Sequence, residues 1–501
     1  MSPSRAVLLA GLLVSAWAGA LHLRAALDPP PGRAFAGTFH WIDDVYNYAS
    51  YAQQAEDGRF LMGNKLLPPD RARPVLVNLE WWAVGRVSAA IGRRPLLAFR
   101  LLAVLATLGL AAAAERWLAG AGVPASHRFA GLLLVLLGGG LGGVLFEATD
   151  RAAAHCLDLS VAAFPYLEAF ANPHFALGTA LLAGALWCFA AVPAPRGPVT
   201  GVLLGTLLGL VRPYDLALLG LVRGVAVLAA RPPSRWAREI APLLGLVPVL
   251  AYDVWVFFGT DQFASFHAGG AMPPWSDYLP AFGPAAALAL ASLAAPAREP
   301  AERAARAHLW CWAACAFGIV AVRPNAFALQ FLVGAGLPLL VLGAAALARR
   351  PPAATAAAAV VLAATAAVQT RIALGEDPNW FVPRERIAAA AALRPYCRAG
   401  DRVLAPPDIG LYAIGLTACS AVVSHPVAPD HAARLADAAG FYGAWTKAER
   451  LAFLDRERVT HLVLPGEAGP HAEAWLGPGA PFERRVSPAA VRPLALYERR
   501  R

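Results

Sequence analysis

Two adjacent carboxylates, Asp43 and Asp44, sit in the stretch Phe39-His40-Trp41-Ile42-Asp43-Asp44-Val45-Tyr46-Asn47-Tyr48-Ala49-Ser50-Tyr51. Paired acids at the start of a helix-forming run have two uses. Their oxygens can accept from the free backbone N–H groups of the first turn, where the helix dipole also favours negative charge. Alternatively, a carboxylate held there can take a proton from a hydroxyl as a general base, or bind a divalent metal such as Mg or Mn through Asp43. The residue types leave both readings open. On a helix beginning here, Asn47 and Gln54 share a face with Asp43, at i+4 and i+11, and Tyr48 and Tyr51 share one with Asp44.

Three cations are placed to meet an anion. Lys65 follows the acidic stretch, and Arg212 and Arg323 each precede a proline at the end of an apolar run. Such arginines can simply mark helix breaks with side chains that snorkel to the interface, and Lys65 can be a solvated loop charge. An ionisable residue at a broken intramembrane helix is nevertheless a functional candidate. His174, after Pro173, can equally be a helix start. Among the six cysteines, Cys311 and Cys315 are spaced i,i+4 in an apolar run and read as packing, and Cys156 and Cys188 have no metal-like spacing. Cys397 and Cys419 lie in the hydrophilic tail and can pair if that tail is outside the cytoplasm.

The elements that must position these residues are membrane helices. Of 501 residues 58% are apolar and 15% charged, with a mean hydropathy of +0.51, which no ordinary soluble domain reaches. Apolar runs, several about twenty residues long, recur from residue 6 to residue 370, the length that crosses roughly 30 Å of hydrocarbon. The expected spans are 6–27, 96–115, 129–147, 174–192, 199–212, 214–230, 239–258, 281–296, 308–322, 325–348 and 353–370, about eleven transmembrane helices. Residues 74–92 carry Asn78, Glu80, Arg86 and Ser88 beside Trp81-Trp82 and read as an interfacial helix. The formal charge of +10 comes from scattered arginines with no dense basic tract, which argues against nucleic acid.

With the N-terminus inside, arginine clusters at 116 and 128, 196, 231–238, 298–306 and 349–350 fall on the cytoplasmic side. Asp43, Asp44, Asp150, Asp158, Glu168, Asp261 and Asp277 then lie outside, as does the tail. The expected domains are a helical membrane domain, 1–370, whose outer loop 28–94 carries the acids, and a soluble extracytoplasmic domain, 371–501. In that tail, strands at 402–405, 420–424, 460–464 and 494–497 alternate with helices at 384–394, 429–441 and 446–457, a small α/β layer.

This pattern resembles the polytopic GT-C superfamily glycosyltransferases, especially the aminoarabinose and protein mannosyltransferase type. The resemblance rests on Asp43-Asp44 in the first outer loop, Lys65 with Arg73-Pro74, the Trp81-Trp82 segment and Arg100 opening the next span. It extends to Asn172-Pro173-His174, Arg212-Pro213-Tyr214-Asp215, Ala405-Pro-Pro-Asp408 and Ser424-His425-Pro426. It departs at Asp44, where the better-known relatives have Glu. It implies transfer of a sugar from a lipid-linked, polyprenyl-phosphate or diphosphate donor to a glycan, lipid or protein acceptor outside the bacterial inner membrane, by inversion. Asp43 would be the base and Asp44 its partner, with Lys65, Arg212 and Arg323 at the donor phosphate and Tyr48, His174 and Tyr214 against substrate. A transporter or lipid flippase, or an inactive scaffold of this fold, also accommodates broken helices with buried arginines.

Overall fold

The computed structural model describes residues 2–149, 155–230, 232–261, 272–295, 297–322, 326–377, 379–426, 430–464, 481–485 and 495–500, with residues 152, 263, 428 and 476. Arg323 and Asp150 lie outside the described residues. The chain divides into two compact units, one of residues 1–25, 99–254 and 269–375 and the other of residues 26–98, 255–268 and 376–501. The acidic loop, expected to belong with the membrane helices, therefore groups with the tail.

The first unit is a helical membrane assembly. Among the described residues, seven helices are long and apolar enough to cross a membrane: Pro3–Leu27, Pro95–Gly120, Pro173–Ala191, Pro233–Phe258, Pro300–Val322, Ala328–Leu347 and Pro352–Leu374. Fewer full-length spans form than the apolar runs suggest. The run at 129–147 is two helices, Ala125–Leu137 and Gly142–Ala148, bent by 55°. The break falls at three glycines, where Gly139 N donates to Leu362 O and Thr365 Oγ1 donates to Gly140 O, both at 2.8 Å. A Cβ at Gly140 would overlap the Ala281 backbone. Arg196–Val211 has 16 residues. Tyr278–Ala291 has 14 and contains Pro284. Pro213–Ala230 carries Asp215 and Arg223.

Lipid removes the hydrophobic drive between helices, so close packing and internal hydrogen bonds hold them. Trp117 and Trp312 are fully buried, and Trp117 Nε1 donates to Ala183 O at 3.0 Å. Leu12, Leu105, Leu203, Phe258 and Val322 point outward.

The second unit is mixed. Strands β1 (Arg33–Phe35) and β2 (Phe381–Pro383) pair antiparallel. Five further strands, β3 (Arg402–Leu404), β4 (Ser420–Ala421), β5 (His461–Leu464), β6 (Phe482–Arg485) and β7 (Ala495–Arg499), form one sheet in the order β4-β3-β5-β7-β6. The β4-β3-β5 part is parallel and the β5-β7-β6 part antiparallel. Helices at Arg384–Ala392, Pro407–Leu416, His431–Tyr442 and Lys447–Arg456 join these strands. Thr446 and Glu449 close a capping box on the last, satisfying two first-turn donors that would otherwise lack partners.

The run at 74–92 condenses into helix Leu79–Ala90, started by Asn78, whose side chain accepts from Glu80 N at 2.7 Å. Twelve residues rise only ~18 Å, too short to span. This helix lies against the acidic helix Ile42–Glu56. Gly85 permits the approach, because a Cβ there would overlap the Ala52 carbonyl.

Candidate active site

Asp43 and Asp44 occupy the first turn of Ile42–Glu56, and neither serves as its side-chain cap. The N-cap is Trp41, at φ 50° and ψ 53°, with no side-chain cap bond. A left-handed tryptophan costs on the order of 1–3 kcal/mol, and such strain clusters at functional sites. The acids thus enjoy the positive end of the helix dipole without their oxygens being tied to it.

The tail supplies what faces them. His425 is buried, and its Nε2 donates to Asp44 Oδ1 at 3.1 Å; an ionised carboxylate only accepts, so Nε2 carries the proton. Burial raises the Asp43 carboxyl above its ordinary value; His425 opposes the rise, Asp44 adds to it and His431 subtracts. His431, at the start of helix His431–Tyr442, is lowered by burial and by His425, with Asp43 acting the other way. Two acids and two imidazoles therefore share one electrostatic neighbourhood. The sequence shows His425 only within Ser424-His425-Pro426 and gives no sign of a role for His431. No spacing signal ties either to residue 43, since hundreds of residues intervene.

The remaining helix faces are structural. Gln54 accepts from Gly63 N at 2.9 Å and donates to Gly63 O at 2.8 Å, so this part of the expected polar stripe secures the turn after the helix. Asn47 is buried. Tyr48 and Tyr51 stack on Trp81, with centroids 4.4 Å and 5.0 Å away. On the opposite side Tyr46 meets the Tyr412 ring edge-on at 4.7 Å.

Lys65 is buried, and its ammonium donates to Gln53 Oε1 at 2.7 Å, Ile414 O at 3.0 Å and Thr417 O at 2.5 Å. The two carbonyls belong to the C-terminal end of helix Pro407–Leu416, so Lys65 caps it. With all three protons engaged, this geometry differs from the phosphate ligand the sequence suggested. Lys65 also lines a cavity of about 220 Å³ with Asp57, Arg59, Asn64 and Asp401.

Arg212 is likewise engaged. Its guanidinium is buried and donates to Asp215 Oδ2 at 2.8 Å and to Gln330 O at 3.2 Å. The rings of Phe175 and Tyr214 lie 5.0 Å and 5.4 Å from it. His174, beside Phe175 in the first turn of Pro173–Ala191, is buried in the same unit. Arg212, Tyr214 and Asp215 therefore form a buried ionic and aromatic knot. Arg100 donates to the carbonyls of Phe170 at 3.1 Å and Ala171 at 2.8 Å, just before Asn172-Pro173.

For a metal, the described residues bring three possible ligands together only at Cys397, Cys419 and His461. The two cysteines are joined in a disulfide, which leaves no thiolate to ligate. Asp43 and Asp44 belong to no such set of three among the described residues.

The fold is that of the GT-C membrane glycosyltransferases, polytopic helical proteins with an extramembrane domain. The structure is similar to that of the arabinofuranosyltransferase AftD from Mycobacteria, with a TM-score of 0.59 and 18% identity over 99% of this chain; the chain spans 40% of AftD. It is similar to ArnT from Cupriavidus metallidurans bound to undecaprenyl phosphate, with a TM-score of 0.57 and 14% identity over 97% of both chains. Apo ArnT gives a TM-score of 0.51 and 13% identity. No family model matches the sequence, and no curated protein does either.

Proposed function

We propose that the chain is a membrane glycosyltransferase that moves a sugar from a polyprenyl-phosphate donor to an acceptor hydroxyl, with Asp43 as general base. The observation that carries this reading is the acid pair itself. Two carboxylates stand in a strained helix start, uncommitted to capping, and one of them is fixed by a buried histidine from the tail. The full-length likeness to ArnT, whose structure holds undecaprenyl phosphate, supports the donor class.

In the reaction the acceptor oxygen attacks the anomeric carbon as the bond from that carbon to the phosphate oxygen breaks. The bonding pair leaves on the polyprenyl phosphate, and the acceptor proton passes to Asp43. Attack from the face opposite the leaving group inverts the anomeric centre. A phosphate leaving group needs no general acid, only stabilisation of its charge. The raised Asp43 carboxyl is the stronger base for that burial. Asp44, held by His425, keeps a second negative charge beside it and fixes the first turn. The arginine distribution supports a site and tail on the extracytoplasmic side of a bacterial inner membrane, and a disulfide at Cys397–Cys419 suits an oxidising compartment.

The test is Asp43→Asn, assayed with a panel of radiolabelled polyprenyl-phosphate sugars. Asn preserves size, so loss of a base predicts a fall of about 100-fold to 10,000-fold in rate with an unchanged unfolding temperature. Near-normal transfer by Asp43→Asn would remove the proposal.

A further inference from the structure

Arg223 sits in helix Pro213–Ala230 of the first unit with its side chain buried. Its guanidinium donates to Glu239 Oε2 at 2.6 Å and contacts His308 Nε2 at 3.3 Å. Beside it is a cavity of about 260 Å³ lined by Arg223, Arg303 and His308 with the small apolar walls Ala226, Ala304 and Ala307. At ~30 Å³ per water, it has room for a phosphate and several waters. Glu302 pairs with Arg306 instead of with Arg303, and Arg303 is exposed and forms no ion pair among the described residues. Glu239 balances Arg223, and no carboxylate is among the described residues that line the cavity, so Arg303 is left as surplus positive charge.

The surroundings are those of a membrane surface. Helix Pro233–Ile240 has no buried residue and carries Arg235, Trp236 and Arg238, a basic, aromatic surface segment of the kind that lies in the headgroup plane. Arginine recognises phosphate oxygens through paired N–H donors, and basic pockets between membrane helices are suited to anionic headgroups.

We infer that this cavity binds a phosphate group, that of an anionic phospholipid headgroup or a free phosphate ion, at a site separate from the acid pair. Arg303 supplies the uncompensated charge, Arg223 and His308 the inner wall, and the alanines admit the glycerol or acyl stem. The inference does not depend on the glycosyltransferase reading.

Full-length protein purified in neutral detergent is titrated separately with short-chain phosphatidylglycerol, phosphatidylcholine of equal chain length and inorganic phosphate, following the unfolding temperature. Arg303→Gln, at an exposed side chain, is run beside wild type, with Arg371→Gln as a charge-matched control elsewhere in the unit. Phosphatidylglycerol should stabilise wild type and the control at similar concentrations, and Arg303→Gln should need about tenfold more. The same variant dependence with inorganic phosphate alone upholds the site and names a soluble source. An equal response to phosphatidylcholine, an unchanged response in Arg303→Gln, or an equal loss in Arg371→Gln would overturn it.

Discussion

Replacing Lys65 with Met should flatten the pH dependence of stability on the alkaline side of neutrality. Burial lowers the Lys65 ammonium from 10.5 to about 7, so the unfolded chain holds this proton more tightly than the folded one. Unfolding therefore takes up a proton between about pH 7 and pH 10.5, and stability rises with pH across that window. Below it both states are charged and the contribution is level. The whole shift corresponds to ~5 kcal/mol, approached at up to ~1.4 kcal/mol per pH unit. Methionine keeps the apolar stem and cannot titrate, but it deprives Gln53 Oε1, Ile414 O and Thr417 O of their shared donor. Those losses, about 1–3 kcal/mol each, oppose the relief of the buried charge, so the slope discriminates where the level does not. Thermal unfolding of detergent-purified wild type and Lys65→Met, from pH 6.5 to pH 9.5, reads it directly. Parallel curves would refute the assignment of Lys65 as a buried, charge-strained helix cap. Loss of donor affinity in Lys65→Met at a pH where it remains folded would restore the phosphate role expected from sequence.

Reporter fusions at Asp70, Arg235 and Gly440 should read outside, inside and outside; opposite readings at Asp70 and Gly440 would break the topology drawn from the arginine clusters. Cys397→Ser should lower stability by ~3 kcal/mol, the chain-entropy value for a loop of this size with a separation of 22 residues, and a reductant should have no further effect on the variant. If Asp43 acts as a base without a metal, chelation with EDTA should leave transfer unchanged; activity lost to EDTA and restored by Mn would show that a metal joins the acid pair.

What could be read from the sequence was whatever a local pattern encodes. Apolar run length announced the membrane helices, and alternation in the tail located β3, β4, β5 and β7 to within a few residues. The polar residues among 74–92 marked a helix that does not span. Patterns failed where backbone geometry decided: the glycines at 138–140 divide an apparently continuous span, and Pro284 sits inside a helix too short to cross. The acid pair was visible as a site, but its partners were not. His425 and Asp44 meet through folding of segments 381 residues apart, and nothing in either segment names the other. The partners of Lys65 and Arg212 were hidden for a related reason: charge and position near a proline show where a guanidinium or ammonium is, not which carbonyl or carboxylate it meets.

The second unit is assembled from stretches at 26–98, 255–268 and 376–501, and this imposes an order on biosynthesis. At ~5–20 residues per second, the chain between residues 98 and 376 takes roughly 15–55 s to emerge. For that interval the acidic helix is made but has neither His425 beside Asp44 nor the helix end that Lys65 caps. Its Tyr46 ring, which meets Tyr412 in the finished fold, waits uncovered until then. Translation that stops anywhere before the tail leaves a chain carrying both acids without the histidine that faces Asp44.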